Sequence, residues 1–208
     1  MENKNKIAQL YILGITGGIG SGKSEVLRLL SEQPDTCIVE SDKLAHRLME
    51  PGHTCYRKIV EAFGSEILAE DARIDRAKLG ALVFADPVKL EQLNRIVHPA
   101  VKQSIRNRIR RAGARGLRLF VIEAALLIQD GYRSICDELW YIHVEREVRI
   151  QRLLAGRGGN REKWESVLAS QPEDTFFLEN TDVSIENSGS FEELRQAVLS
   201  ELRRISGS

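Results

Sequence analysis

The sequence lacks the features that mark disulfide-rich, membrane-spanning or strongly charged proteins. Its three cysteines stand far apart, with no C-x-x-C pair and no histidine at ligand spacing, which argues against a disulfide framework or a zinc site. No apolar run approaches the roughly 18 residues that span a bilayer. The 30 basic and 30 acidic residues give a formal net charge of +0, so the balance favours neither a general nucleic-acid binder nor a membrane-surface binder. We therefore expect a cytoplasmic globular protein.

Short apolar runs alternate with helical patterns along the 208 residues. The runs that predict strands are residues 10–15, 37–39, 117–122, 139–144 and 183–185. The first run passes directly into a glycine-rich loop, so we interpret it as a strand rather than as part of a signal peptide. Strands that alternate with helices predict βαβ units, and thus an α/β fold with a mostly parallel five-stranded sheet covered on both faces.

The region from about residue 51 to 116 breaks this alternation. It contains several helical segments in succession and no convincing strand, which predicts a helical lobe inserted between the second and third strands. Asp86-Pro87 and His98-Pro99 lie within it, and each proline suits the first turn of a helix.

Residues 17–24 read GGIGSGKS and match G-x-x-x-x-G-K-[ST] in full. Glycines allow positive φ angles and bring backbone N–H groups close to a phosphate, and the following helix presents its own N–H groups and positive dipole end. Lys23 can reach the β- and γ-phosphates of a nucleoside triphosphate, and the Ser24 hydroxyl can ligate Mg²⁺. The predicted nucleotide contacts are Gly17, Gly18, Ile19, Gly20, Ser21, Gly22, Lys23 and Ser24.

The rest of the sequence narrows the class of P-loop protein. We find neither the DxxG of a GTPase switch nor the NKxD that reads guanine, and transporter or helicase ATPases usually have longer chains. A small P-loop protein with an inserted helical lobe is most economically a small-molecule kinase that uses ATP, with a nucleotide-kinase-like fold.

An acidic residue follows the second predicted strand in the segment VESDKLAH. Ser41 is a reasonable N-cap, which would place Asp42 in the first turn of a helix. Asp42 can simply complement the helix dipole there, or it can accept a proton from an attacking hydroxyl group. Its position alone leaves both interpretations open.

Several segments together resemble the dephospho-CoA kinase family in order and spacing, over about residues 10 to 198. They are GITGGIGSGKS, ESDKLAHRLMEPG, LNRIVHPAV, VIEAALLIQDG, and then Gln171 and IENSG. The glycine–lysine motif is shared by many families, whereas LNRIVHP and ALLIQDG are much more particular. The resemblance implies transfer of the ATP γ-phosphoryl group to the ribose 3′-hydroxyl of dephospho-CoA, the last step of coenzyme A synthesis, with Mg²⁺ as cofactor.

The resemblance also assigns roles to acidic residues. Asp42 matches the second acid of the family's Asp-x-Asp pair and would be the general base, while Glu40 stands for the first acid and would assist Mg²⁺ or the substrate hydroxyl. Glu123, at the end of the third strand, is the candidate for a carboxylate that orients the metal, unless it is only a surface acid at a strand end.

On the substrate side, His98 matches the family's His-Pro and is a candidate contact, although a histidine satisfied by the helix backbone is an equal alternative. Leu126 is a second candidate contact. The segment that contains it departs from the family, because Ala125 replaces a proline and Gln129 replaces a glutamate. Glu40 is a third departure, and together these leave open a catalytically weakened ATP-binding regulatory protein. Another nucleoside or nucleotide kinase is the remaining alternative.

A lid is predicted at about residues 152–170. Among the arginines near it we select Arg152 and Arg157 as phosphate clamps, of which Arg152 is assigned to catalysis, and the glycines around Arg157 suit a hinge. Asn187 belongs to the predicted adenine-side loop. The whole chain is expected to form a single domain, with a core at about 8–50 and 117–205 and the lobe at 51–116. Its expected partner is the small-molecule substrate, with no nucleic acid or membrane, and its expected state is a monomer or weak homo-oligomer.

Overall fold

The computed structural model describes residues 10–207, so the first residues of the predicted core, 8 and 9, lie outside the described part. Its five strands are β1 Tyr11–Thr16, β2 Thr36–Glu40, β3 Leu119–Glu123, β4 Glu138–His143 and β5 Val183–Glu186. They form one sheet in the order β2-β3-β1-β4-β5. β1 pairs in parallel with β3 and β4, and β4 pairs in parallel with β5. The predicted α/β fold with a five-stranded parallel sheet is confirmed.

α-Helices follow β1, β2, β4 and β5, whereas the segment between β3 and β4 contains only a 3-10 helix at Tyr132–Ser134. The α-helices are α1 Lys23–Ser31, α2 Ser41–Leu48, α3 Thr54–Phe63, α4 Arg76–Phe84, α5 Pro87–Ala114, α6 Arg146–Arg157, α7 Arg161–Ala169, α8 Asp174–Asn180 and α9 Phe191–Ser206. Within residues 10–207, no helix combines the length and apolar character required to cross a membrane.

The chain divides into two compact units. One comprises the described residues up to Ile38 together with those from Ala112 onward, and the other is Val39–Arg111. In the first unit, β1 contributes the fully buried Leu13 and Ile15 to a core that α1 and α9 also line. Burial of each such side chain stabilises the fold by about 1.5–3 kcal/mol, which explains why the strands read as continuous apolar runs.

The second unit is helical and has its own core. Cys55, Ile59 and Phe63 lie at i, i+4 and i+8 on α3 and pack with residues of α4. The side chain of Asp75 caps α4 by accepting hydrogen bonds from the backbone N–H groups of Ala77 and Lys78. The helical character of this region agrees with the sequence pattern.

Two predicted helix starts behave differently. Pro87 is the first residue of α5, as predicted, and the Asp86 carboxylate accepts a hydrogen bond from the Val88 N–H. The predicted start at His98-Pro99 is wrong, because Pro99 lies inside the continuous helix α5. Apolar residues of α5 on both sides of Pro99 pack against the core of this unit, which offsets the roughly 3 kcal/mol that an interior proline costs.

The start of α2 is shifted by one residue from the prediction. Glu40, rather than Ser41, occupies the N-cap position, and Ser41 is the first residue of the helix. Asp42 still lies in the first turn, as predicted.

Candidate active site

The glycine-rich loop connects the end of β1 to the start of α1. Gly20 and Gly22 have φ angles of 77° and 82°, in the left-handed region that favours glycine. A Cβ atom on Gly22 would lie 2.3 Å from Nδ2 of Asn187, so the loop could not carry a side chain there without rearranging. At these glycines the loop therefore exposes backbone groups without side chains, and the N-terminus of α1 follows directly.

Lys23, the first residue of α1, places its ammonium group over the start of the loop. Its Nζ donates a hydrogen bond to the Gly17 carbonyl at 2.8 Å and lies 3.8 Å from a carboxylate oxygen of Glu123. Glu123 is the last residue of β3 and pairs in register with Ile15 of β1. The parallel sheet thus brings Lys23 and Glu123, two predicted site residues, together.

The residues around the loop suit a phosphate chain with a divalent cation. The hydroxyl groups of Thr16 and Ser21 are buried and have no hydrogen-bond partner among residues 10–207, although most buried hydroxyls are paired. No group of three or more metal-ligating side chains occurs among the described residues. Mg²⁺ characteristically binds one or two protein groups together with substrate phosphates, so Ser24 and Glu123 fit such a partial protein site.

A buried arginine and a glutamine bind the loop from outside. Arg149 Nε donates to the Ile19 carbonyl at 3.1 Å, and Gln171 Oε1 accepts from the Ile19 N–H at 3.1 Å. Burial lowers the pKa of Arg149, while Tyr141 and Asp174 act in the opposite direction. No function was predicted from the sequence for Arg149 or Gln171. The one available signal was that Arg149 stands on α6 between apolar neighbours, a position that favours burial.

A cavity of about 450 Å³ opens beside the loop. Gly22, Arg152, Asn187, Gly189 and Phe191 contribute to its lining, which brings two further predicted site residues, Arg152 and Asn187, next to the loop. The Asn187 side chain is itself directed to the loop, because its Nδ2 donates to the Ser21 carbonyl at 2.8 Å. The wall also includes Arg28, so it carries two guanidinium groups and one aromatic ring, which suit a planar base.

The remaining predicted residues are more dispersed. Arg157 is the last residue of α6 and is exposed, and Leu126 lies in the turn after β3 with 49% of its surface exposed. In the unit 39–111, Asp42 is exposed at the start of α2, Glu40 is the residue before α2, and His98 lies partly buried within α5.

The family model described as dephospho-CoA kinase matches residues 11–193. The chain belongs to the dephospho-CoA kinase family. A dephospho-CoA kinase of Carboxydothermus hydrogenoformans is 39% identical over 94% of this chain and 94% of its own length. One from Geobacter sulfurreducens is 38% identical over 91% of this chain and 95% of its own length.

A crystal structure of a Thermus thermophilus protein matches with a TM-score of 0.78 and 29% identity, and it covers 95% of this chain and 98% of that one. The resemblance inferred from the motifs, including the P-loop kinase fold, is confirmed.

Three residues of this dephospho-CoA kinase family member depart from the family pattern: Glu40, Ala125 and Gln129. Glu40 forms an ion pair with Lys43, with 2.8 Å between the nitrogen and a carboxylate oxygen. Ala125 and Gln129 are both exposed in the segment after β3. None of the three lies in the glycine-rich loop.

Proposed function

We propose that this protein transfers the γ-phosphoryl group of ATP to the ribose 3′-hydroxyl of dephospho-CoA, which yields coenzyme A and ADP in the final step of coenzyme A synthesis. The observation that carries this proposal is the family match across residues 11–193. The glycine-rich loop, with Lys23 at its exit, supplies the nucleotide chemistry that this reaction needs. Neither alternative left open by the sequence, a different small-molecule kinase or a weakened regulatory protein, is favoured by a specific observation.

The nucleotide side is formed by the loop and its neighbours. Backbone N–H groups of residues 17–24 and the ammonium of Lys23 hold the β- and γ-phosphates. Lys23 lies against the Gly17 carbonyl, so a small side-chain movement suffices to direct its N–H groups to a phosphate oxygen. Arg152 and Asn187 line the adjacent cavity, which has room for the adenine base.

Ser24 and Glu123 would hold Mg²⁺ together with the phosphates. The cation neutralises negative charge on the transferring group when it is bound. Glu123 is only 9% exposed, so its carboxylate keeps a fixed orientation at the end of β3. Its ion pair with Lys23 keeps both side chains ordered next to the loop.

The family resemblance assigns the acceptor side to Asp42, Glu40, His98 and Leu126. Asp42 accepts the proton of the 3′-hydroxyl as that oxygen attacks, a role in which general bases contribute typically 10²–10⁴-fold in rate. Glu40 assists the same hydroxyl or the metal, and His98 and Leu126 contact dephospho-CoA. Asp42 lies exposed in the first turn of α2.

The predicted lid at residues 152–170 contributes Arg152 and Arg157. Their guanidinium groups neutralise charge that spreads over the transferring phosphoryl group. Gly158 and Gly159 follow α6 with φ angles of 66° and 85°, and they give the lid a hinge. Closure excludes water, which would otherwise compete as acceptor.

The proposal also covers the cellular location, the oligomeric state and the partners of the protein. We propose that the protein acts in the cytoplasm, where ATP is abundant, as a monomer or weak homo-oligomer without a nucleic-acid partner. The balanced charge of +0 supports the last point.

A substrate panel tests the reaction. ADP release is measured with ATP, Mg²⁺ and either dephospho-CoA, nucleosides or nucleoside monophosphates. The proposal requires a kcat/KM for dephospho-CoA that exceeds the others by at least about a hundredfold, because the site is built for that acceptor. Equal or better use of a nucleoside would contradict it, and so would ATP binding without ADP formation.

A further inference from the structure

Ile19, in the middle of the glycine-rich loop, has both of its backbone polar groups bound by side chains from outside the loop. Gln171 Oε1 accepts from the Ile19 N–H at 3.1 Å, and Arg149 Nε donates to the Ile19 carbonyl at 3.1 Å. Arg149 Nη2 also donates to Gln171 Oε1 at 2.7 Å. The three residues therefore close a ring of hydrogen bonds that fixes the orientation of the Ile19 peptide groups.

The two side chains come from opposite ends of the predicted lid. Arg149 lies on α6 just before residue 152, and Gln171 follows α7 just after residue 170. The side chain of Ile19 packs against the small core between α6 and α7. Ile19 is thus held through its backbone and its side chain by the two elements on which the lid is built.

Arg149 and Gln171 pack so closely against Gly18 of the loop that a side chain at Gly18 would collide with them. A Cβ atom on Gly18 would lie 2.0 Å from Arg149 Nη2 and 2.7 Å from Gln171 Oε1. Arg149 is buried, and its Nη1 lies 4.0 Å from a carboxylate oxygen of Asp174, which accepts a hydrogen bond from Tyr141 at 2.5 Å. A buried guanidinium that donates to both Ile19 and Gln171 makes a firm support for a loop in which four of the eight residues 17–24 are glycine.

We propose that Arg149 and Gln171 are positioning residues, which hold the glycine-rich loop in its ATP-binding shape and anchor both ends of the lid to it. The use of ATP by this loop is part of the proposed function, on which this inference rests. The pair acts through the Ile19 backbone rather than on the reacting atoms. Its loss should weaken ATP binding selectively and leave the dephospho-CoA side little changed.

The chemistry of Gln171 gives a sharp test, because both of its contacts use the acceptor Oε1. Gln171→Leu removes the acceptor and leaves two donors unsatisfied, whereas Gln171→Glu keeps an acceptor for both. The ATP dissociation constant is measured by calorimetry without dephospho-CoA, with Gln151→Leu, an exposed glutamine on α6, as control. Gln171→Leu should raise this constant about tenfold, and Gln171→Glu by less than about threefold.

Steady-state kinetics supply the second readout. The KM for ATP of Gln171→Leu should rise with the dissociation constant, while the KM for dephospho-CoA stays within about twofold. Wild-type ATP affinity in Gln171→Leu would overturn the proposal, and so would an equal loss in Gln171→Glu and Gln171→Leu. A rise in both KM values alike would point to general damage and would also overturn it.

Arg149→Lys serves if Gln171→Leu does not fold. Lysine keeps the charge but lacks the planar fork that reaches the Ile19 carbonyl and Gln171 together. It should raise the ATP dissociation constant about tenfold, with exposed Arg146→Lys as the matched control. Wild-type affinity in Arg149→Lys would refute the positioning role. Because ATP binding requires no acceptor, a wild-type protein inactive toward dephospho-CoA would refute only the proposed reaction.

Discussion

The side-chain amide of Asn187 donates a hydrogen bond to the backbone carbonyl of Ser21, with 2.8 Å between the two atoms. Asn187 is buried, and its own N–H donates to the His143 carbonyl at 2.9 Å. The turn after β5 therefore supports the glycine-rich loop directly. Together with the contacts of Arg149 and Gln171 at Ile19, this gives the loop side-chain supports at two of its residues.

Asn187→Asp should weaken ATP binding about tenfold or more, because a carboxylate would face the Ser21 carbonyl without a proton to donate and would lie near the phosphates. Calorimetric titration with ATP measures the effect. Asn180→Asp is the matched control, since Asn180 also donates to a backbone carbonyl at 2.8 Å, within α8. Equal ATP affinity in Asn187→Asp and the control would show that this support is dispensable.

Lys23→Ala should reduce kcat by at least about 10²–10³-fold, because a charge held beside the loop is lost from the transferring phosphates. Lys58→Ala, which removes an exposed lysine of α3, should leave kcat unchanged. The measurement is ADP release at saturating dephospho-CoA. A Lys23→Ala enzyme with near-wild-type kcat would remove Lys23 from the mechanism.

Asp42→Asn separates the two interpretations of this residue. As general base, Asp42 predicts a fall in kcat of about 10²–10⁴-fold with ATP affinity unchanged. As a helix-dipole partner alone, it predicts unchanged kcat and a loss of about 0.3–1 kcal/mol in the free energy of unfolding. Single-turnover kinetics and urea denaturation on the same variant distinguish these outcomes.

Glu138 should make stability depend on pH. It is buried, and burial alone would raise its pKa, but hydrogen bonds from Arg204, Trp140 and Tyr11 hold the pKa below its ordinary value of 4.5. A lowered pKa stabilises the folded state above pH 4.5, and this stabilisation is lost as the pH falls below that value.

Glu138→Gln should therefore lower the free energy of unfolding by about 1–3 kcal/mol at neutral pH, with a difference that shrinks as the pH is lowered through 4.5 and below. Urea denaturation of both proteins at several pH values gives the comparison. A difference that stays constant across that range would mean that ionised Glu138 does not contribute in this way.

The local features of this fold were accessible from the sequence because they are encoded locally. β1 is buried by helices, so it reads as an apolar run, and the loop after it needs glycine at Gly20 and Gly22. The strand order was not accessible, because pairing partners such as β1 and β3 are far apart in the chain. Pro99 was misread, since packing on both sides of it overrides its local preference.

The side chains that support the glycine-rich loop could not be identified from the sequence, because they too lie far from the loop along the chain. Arg149 binds a carbonyl 130 residues away, and Asn187 binds one 166 residues away. Asn187 was predicted to belong to the adenine-side loop, and the structure adds that its side chain donates a hydrogen bond to the glycine-rich loop. Contacts of this range depend on the assembled sheet, which no local pattern describes.

The most direct test is to identify the product formed from ATP and dephospho-CoA by mass spectrometry and phosphorus NMR. The predicted result is coenzyme A, with a new phosphate monoester on the ribose 3′-oxygen, in an amount equal to the ADP released. ADP formed without a phosphorylated acceptor, or a phosphate on any other oxygen, would contradict the assignment of this protein as the kinase of dephospho-CoA.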